Sequence, residues 1–308
     1  MEIALQFVLL ALGFVMLGKG ADWFVEGAAG IAMRFGIPQL VIGLTIVAMG
    51  TSAPEAAVSI AAAVKGNADI TIGNIVGSNI LNILVILGLA ASIVPIAVAR
   101  STVRIEIPFI IGVTALLFYQ GRDGSISLAD GGVLMVAFAA YMMYLYTMAM
   151  KSNVDSDLEE PGLPLGRCLL GAVGGLALII AGSNVTVGAA TSIATYAGLS
   201  ERFIGLTIVA LGTSLPELFT SVAAARRGNA DIAIGNIVGS NIFNILFVVG
   251  LSSLIIDIPF ASAFNFDTYV ALGAAVLLWL CVLRTQRLQR WAGALMLVCY
   301  AAYLGYIL

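Results

Sequence analysis

The chain has 308 residues, of which 14 are Lys or Arg, 17 are Asp or Glu and none is His, giving a formal charge of −3. Charged residues make up 10% and hydrophobic ones 61%, where soluble domains carry about 25% charged residues, so most of the surface faces lipid rather than water. The missing imidazole removes the commonest general base and every Ser-His or Cys-His nucleophile. The absence of any Lys/Arg-rich run argues against nucleic acid.

Ten apolar stretches of membrane length follow one another, near residues 3–26, 38–65, 69–96, 103–120, 128–150, 165–187, 201–227, 231–256, 267–285 and 290–308. They are uniformly apolar, without the alternation of a transmembrane barrel, so the expected fold is an all-α integral membrane protein. The first run has no basic leader and outlasts a signal-peptide core, so it reads as a retained helix. Lys19, Asp22 and Glu26 toward its inner end read as interfacial residues. Glu106, in the fourth span, lies close in sequence to Arg104 and Arg100 at the inner boundary. Cys168, Cys281 and Cys299 stand singly in apolar surroundings and form neither a disulfide framework nor a Cys-x-x-Cys site. The longest polar interruption, Lys151–Pro164, is acidic and too short to be a domain. Loops after the odd-numbered spans hold ten Lys or Arg, against Lys65, Arg122 and Arg202 on the other side, which places both termini outside.

An internal repeat dominates this layout. Residues 43–88 and 205–250 align without gaps at an offset of 162, with 33 of 46 positions identical. Each copy sits in a set of five spans, an odd number, so the second set enters the membrane upside down. The expected organisation is a first five-helix repeat over 1–150, an acidic cytoplasmic loop over 151–164 and a second, inverted five-helix repeat over 165–308, the arrangement of secondary transporters.

Within each copy a carboxylate falls near the middle of a span: Glu55 in Thr51-Ser52-Ala53-Pro54-Glu55 and Glu217 in Thr213-Ser214-Leu215-Pro216-Glu217. An ionised acid at a helix centre costs about 2.5–3.5 kcal/mol, and no Lys or Arg in these spans is placed to neutralise it. A bound cation or a proton is the natural partner; the bland alternative is a pair of protonated glutamates hydrogen-bonded between helices. Pro54 and Pro216 interrupt the helix ladder and free carbonyls around Ala48–Gly50 and Ala210–Gly212. Downstream, Ser78 and Asn82 share a helix face, as do Ser240 and Asn244, available for ion coordination or for interhelical packing. The whole set is oxygen, which suits hard cations: Ca²⁺ takes 6–8 oxygens, whereas transition metals recruit imidazole or sulfur.

The paired GTSxPE and GNxxGSNIxNI motifs resemble those of the sodium/calcium exchangers of the calcium/cation antiporter superfamily, and the likeness extends over the full ten-span layout. The resemblance implies alternating access in which Na⁺ and Ca²⁺ compete for one central site, with the first and sixth spans sliding against the rest. It implies that Glu55 and Glu217 are shared Ca²⁺ and Na⁺ ligands and that Thr51 and Thr213 bind through backbone and side chain. Ser52, Ser214, Ser78, Ser240 and the carbonyls of Ala48 and Ala210 would help form flanking Na⁺ positions. One departure stands out: some prokaryotic members carry an Asp where this chain has Asn244, which leaves two central carboxylates instead of three. The function expected is a Na⁺/Ca²⁺ antiporter of the plasma membrane, exporting Ca²⁺. A Ca²⁺/H⁺ antiporter is the alternative and a passive cation channel a more distant one. It would be no enzyme, need no cofactor, and have the bilayer and its ions, not an obligate protein, as partners.

Overall fold

Backbone amides in lipid have no water to bond, so the chain must satisfy them internally, and it does so almost entirely in helices. The computed structural model describes residues 2–66, 68–152, 163–198 and 210–307. Most of the acidic loop and the beginning of the seventh expected span lie outside the described residues.

The helices in chain order are α1 (Glu2–Phe35), a bent pair α2 (Gln39–Thr51) and α3 (Ala53–Val64), α4 (Ile70–Ile93), α5 (Thr102–Asp123) and α6 (Leu128–Lys151). After these come α7 (Leu165–Tyr196), the short α8 (Ala210–Thr213) leading into α9 (Leu215–Arg226), then α10 (Ala230–Ile255), α11 (Ala263–Val282) and α12 (Arg290–Ile307). Among the described residues, eight helices are long and apolar enough to cross a membrane, and the α2–α3 pair makes up to nine. α4 and α10 are the most buried of them, while α1, α6 and α12 present most of their surface outward.

The expected spans coincide with these helices within a few residues, except at α1 and α7. These run for 34 and 32 residues, about 51 and 48 Å at 1.5 Å per residue, against a hydrocarbon core of about 30 Å. The charges that seemed to end the first span do not end the helix. Arg227, at the end of α9, meets Asp22 at 3.1 Å and Glu26 at 3.2 Å, so both acids are carried on a continuing helix by a cation from another element.

α1 and α7 pack antiparallel, and glycine makes the approach possible. A Cβ at Gly13 would strike Thr186 and the Gly182 carbonyl, one at Gly20 would lie 2.9 Å from the Gly175 carbonyl, and one at Gly27 would meet Ala172 and Cys168. Contact positions fall along α7 as they rise along α1, so the opening helices of the two halves run in opposite directions. Small residues admit this backbone approach in a solvent that offers no hydrophobic drive between helices.

Short strand pairs lace the halves together at both ends of α5. β1 (Ile96–Ala97) pairs with β4 (Arg287–Leu288), and β2 (Ser125–Ile126) pairs with β3 (Ile258–Pro259), all antiparallel. At the repeat offset β1 corresponds to β3 and β2 to β4, so each half gives its first strand to the second strand of the other.

The seam between α1 and α7 yields a test. A methyl at Gly175 would sit 2.5 Å from the Phe24 nitrogen and 2.7 Å from the Gly20 carbonyl, so Gly175→Ala is expected to destabilise by ~1–3 kcal/mol through overpacking. Gly188→Ala on the same helix meets nothing within 4 Å and should leave thermal stability unchanged or slightly raised. Equal melting temperatures for the two variants would show that the seam is not close-packed.

Candidate cation site

The site is assembled where the broken helices meet α4 and α10. At Ser52 the backbone leaves the helix, with ψ near 3°, and the two segments of the pair differ in direction by 51°. Pro54 falls in the first turn of α3, where a missing N–H leaves no bond unmade. Ser214 (φ −91°, ψ 4°) and Pro216 repeat the arrangement at the start of α9. Each break therefore places Ser at a helix N-terminus and Glu within its first turn.

Glu55 and Glu217 are both 1% exposed, and they are joined crosswise. Ser52 Oγ donates to Glu217 Oε1 at 2.8 Å, and Ser214 Oγ donates to Glu55 Oε1 at 3.2 Å. The serine of each half thus addresses the carboxylate of the other. Thr51 Oγ1 crosses the same divide, donating to Asn236 Oδ1 at 2.9 Å. Asn74 Nδ2 donates to Ser59 Oγ (2.9 Å) and to the Glu55 carbonyl (3.3 Å); Asn236 Nδ2 does the same to Ser221 Oγ (2.9 Å) and the Glu217 carbonyl (3.4 Å). These amides fasten each glutamate's backbone to the neighbouring helix.

Deeper along α4 and α10 the ladder widens to π-helical turns over Asn82–Leu87 and Asn244–Val249, a local irregularity often found at functional positions. Asn82 and Asn244, both 1% exposed, open these turns. Each donates its amide nitrogen across the halves, Asn82 to Asn241 Oδ1 at 2.9 Å and Asn244 to Asn79 Oδ1 at 3.1 Å.

Four buried oxygens in this group accept nothing: Glu55 Oε2, Glu217 Oε2, Asn82 Oδ1 and Asn244 Oδ1. They form two pairs related by the repeat offset. Native interiors seldom leave such acceptors unanswered. Among the described residues no three His, Cys, Asp or Glu side chains gather closely enough to hold a metal, so any ion here must complete its shell with neutral oxygens.

The structure brings together Glu55, Glu217, Thr51, Ser52, Ser214, Asn82 and Asn244 through these bonds. Ser78 and Ser240 are buried on α4 and α10, and Thr213, half-buried, ends α8. Ala210 opens α8. The carbonyls released by the breaks are not left idle in this conformation. The Ala48 carbonyl accepts the Ser52 N–H at 3.0 Å and lies 3.4 Å from Ser240 Oγ, and the Gly212 carbonyl, four residues before Pro216, accepts Ser183 Oγ at 2.7 Å.

Sequence reading passed over Asn74, Asn236, Asn79, Asn241, Ser59 and Ser221, although all six lie among the positions identical in both copies. Ser183 had no such signal, since its counterpart at the repeat offset is Ala21. Glu106 is also placed differently from the expectation. It is wholly buried, with Tyr144 donating its hydroxyl to Oε1 at 2.5 Å. Its Arg104 neighbour, two residues back, necessarily points to another face of the helix.

This geometry, two halves with exchanged contacts around a buried pair of acids, is that of a membrane cation carrier. The sodium/calcium exchanger protein family profile matches residues 5–147 and 168–308, and the chain belongs to that family. It is 33% identical to the sodium/calcium exchanger MaX1 of Methanosarcina acetivorans, over 98% of both chains. It is 40% identical to the inner membrane protein YrbG of Escherichia coli, over 80% of this chain and 79% of that one. Among solved structures, one of the sodium-calcium exchanger NCX_Mj soaked with Na⁺ and Sr²⁺ superposes with a TM-score of 0.86 at 34% identity, covering 98% of this chain and 99% of that one.

Removing either crosswise serine tests the site. A hydrogen bond to a charged group contributes ~1.5–3 kcal/mol, so Ser52→Ala or Ser214→Ala should raise the Ca²⁺ concentration for half-maximal flux in proteoliposomes by about tenfold or more. The two variants should behave alike, because the two bonds are equivalent. Unchanged flux in both would remove the serines from the site.

Proposed function

We propose that the chain is a Na⁺/Ca²⁺ antiporter of the plasma membrane that expels Ca²⁺ on the Na⁺ gradient by alternating access. The observation that carries this reading is the set of four buried, unanswered acceptor oxygens shared equally by the two halves. Oxygens that can only accept call for a cation, and two carboxylates match the charge of one Ca²⁺. Ca²⁺ takes 6–8 oxygens, and the remainder are within the same elements: the hydroxyls of Thr51, Thr213, Ser52, Ser214, Ser78 and Ser240 and the carbonyls of Ala48 and Ala210. The long contact from Ser240 to the Ala48 carbonyl is one that an arriving ion could replace.

Two five-span inverted repeats, over 1–150 and 165–308 with the acidic loop between them on the cytoplasmic side, supply the movement. Two arrangements that exchange the roles of the halves would open the site to opposite sides in turn. The antiparallel α1–α7 pair and the exchanged strands support this organisation. The distribution of Lys and Arg supports ten spans with both termini outside. Occlusion of both glutamates at 1% exposure favours a carrier over an open pore, whose selectivity site would stay wetted.

Radioactive Ca²⁺ uptake into Na⁺-loaded proteoliposomes at fixed pH tests the proposal. Uptake should require the outward Na⁺ gradient, and Glu55→Gln or Glu217→Gln should each reduce it to the level of empty vesicles. Uptake indifferent to Na⁺ and driven instead by an acidic interior would assign the coupling to protons. Full exchange in both variants would remove the glutamates as ligands.

A further inference from the structure

Asn79 and Asn241 make no contact with the four unanswered oxygens, yet the hydrogen bonds around them leave those oxygens only one possible identity at positions 82 and 244. Asn241 Nδ2 donates to the backbone carbonyl of Asn79 at 3.2 Å, and Asn79 Nδ2 donates to the backbone carbonyl of Asn241 at 3.2 Å. A carbonyl can only accept, so each of these amides must turn its NH₂ to the opposite backbone and its oxygen away. That oxygen faces the second asparagine of the other half, which must then present its own NH₂: Asn82 to Asn241 Oδ1 and Asn244 to Asn79 Oδ1. A flipped Asn82 or Asn244 would set two carbonyl oxygens against each other at about hydrogen-bond distance. The last free atom of each chain of bonds is therefore an oxygen, Asn82 Oδ1 or Asn244 Oδ1, buried and without a partner.

We infer that Asn79 and Asn241 are positioning residues that lock the amides of Asn82 and Asn244 with their oxygens toward the transported cation. The inference rests on the cation-site reading above and specifies what makes two neutral amides act as ligands. An amide free to rotate would offer a cation its NH₂ as readily as its oxygen; the backbone carbonyls of residues 79 and 241 remove that choice. The same device accounts for an amide at both positions. An Asp at 82 or 244 could meet the fixed oxygen of its partner only by carrying a proton, whereas Asn donates without one and adds no charge beside the two glutamates.

The test is a double-mutant cycle read as the Ca²⁺ concentration for half-maximal flux, in reconstituted full-length protein. Asn241→Ala releases Asn82 to rotate and should raise that concentration about tenfold, the scale of one well-made hydrogen bond to an ion. In an Asn82→Asp background the same Asn241→Ala change should cost nothing, because the two oxygens of a carboxylate are equivalent and need no orienting. Asn79→Ala with and without Asn244→Asp provides the mirror cycle, and melting temperatures establish that each variant is folded. An equal loss from Asn241→Ala in both backgrounds, or no loss in the wild type, would overturn the orienting role. So would unfolding of both alanine variants without recovery in the doubles, which would make the asparagines packing residues. Glu55→Gln is run alongside: flux surviving there removes the cation site itself, whereas flux lost there with unchanged affinity in Asn241→Ala removes only the orientation.

Discussion

Two carboxylates held inside an apolar bundle, each with one oxygen answered and one not, set the terms for the rest of this protein. The answered oxygen of Glu55 belongs to Ser214 and that of Glu217 to Ser52, so neither half can place its own acid without the other. A single serine hydroxyl does not offset the cost of a buried negative charge, and no Lys or Arg among the described residues pairs with either acid. Breaks at Ser52 and Ser214, π-helical turns at Asn82 and Asn244 and glycine seams along α1 and α7 all serve to bring neutral oxygen donors to that unpaid charge.

Reciprocity follows from duplication. Contacts between halves come in pairs at the repeat offset: serine to glutamate, asparagine to asparagine, strand to strand. Where the pairing fails, the halves have diverged. Ser183 donates to the Gly212 carbonyl, but its counterpart Ala21 has no hydroxyl to give Gly50. Arg227 holds Asp22 and Glu26, while its counterpart Lys65 faces positions where the matching residues of α7 are Asn184 and Gly188. The ion pairs there are partly exposed and each contributes little, yet they are found at one end of the molecule only among the described residues. Inverted symmetry is thus close around the ion and looser toward the surface.

Much of this was legible beforehand because membrane residence imposes strong patterns on a chain. Helix length, apolar runs and a repeat with 33 identities in 46 positions are one-dimensional signals, and a charge in the middle of an apolar span announces itself. The ends of α1 and α7 were not legible, since Lys19, Asp22 and Glu26 look like a boundary until Arg227 is seen beside them. Glu106 was misjudged for the same reason. Its neighbours in sequence are arginines, but its partner in space is Tyr144, 38 residues away. Pro54 and Pro216 marked the breaks correctly, although the carbonyls near them are largely taken up by hydroxyls of other helices.

The sequence by itself determined that the chain is a helical membrane protein, that its halves are copies entering the bilayer in opposite senses, and that Glu55 and Glu217 are acids in need of a counter-charge. Periodicity, hydropathy and duplication are properties of the string, and they suffice for these conclusions. Tertiary structure alone decided which serine meets which glutamate, which carbonyls are satisfied, and that Asn79 and Asn241 fix the amides of Asn82 and Asn244. Those facts depend on helices from different halves crossing at particular residues, and a hydrogen bond has a direction that exists only once donor and acceptor face each other in space.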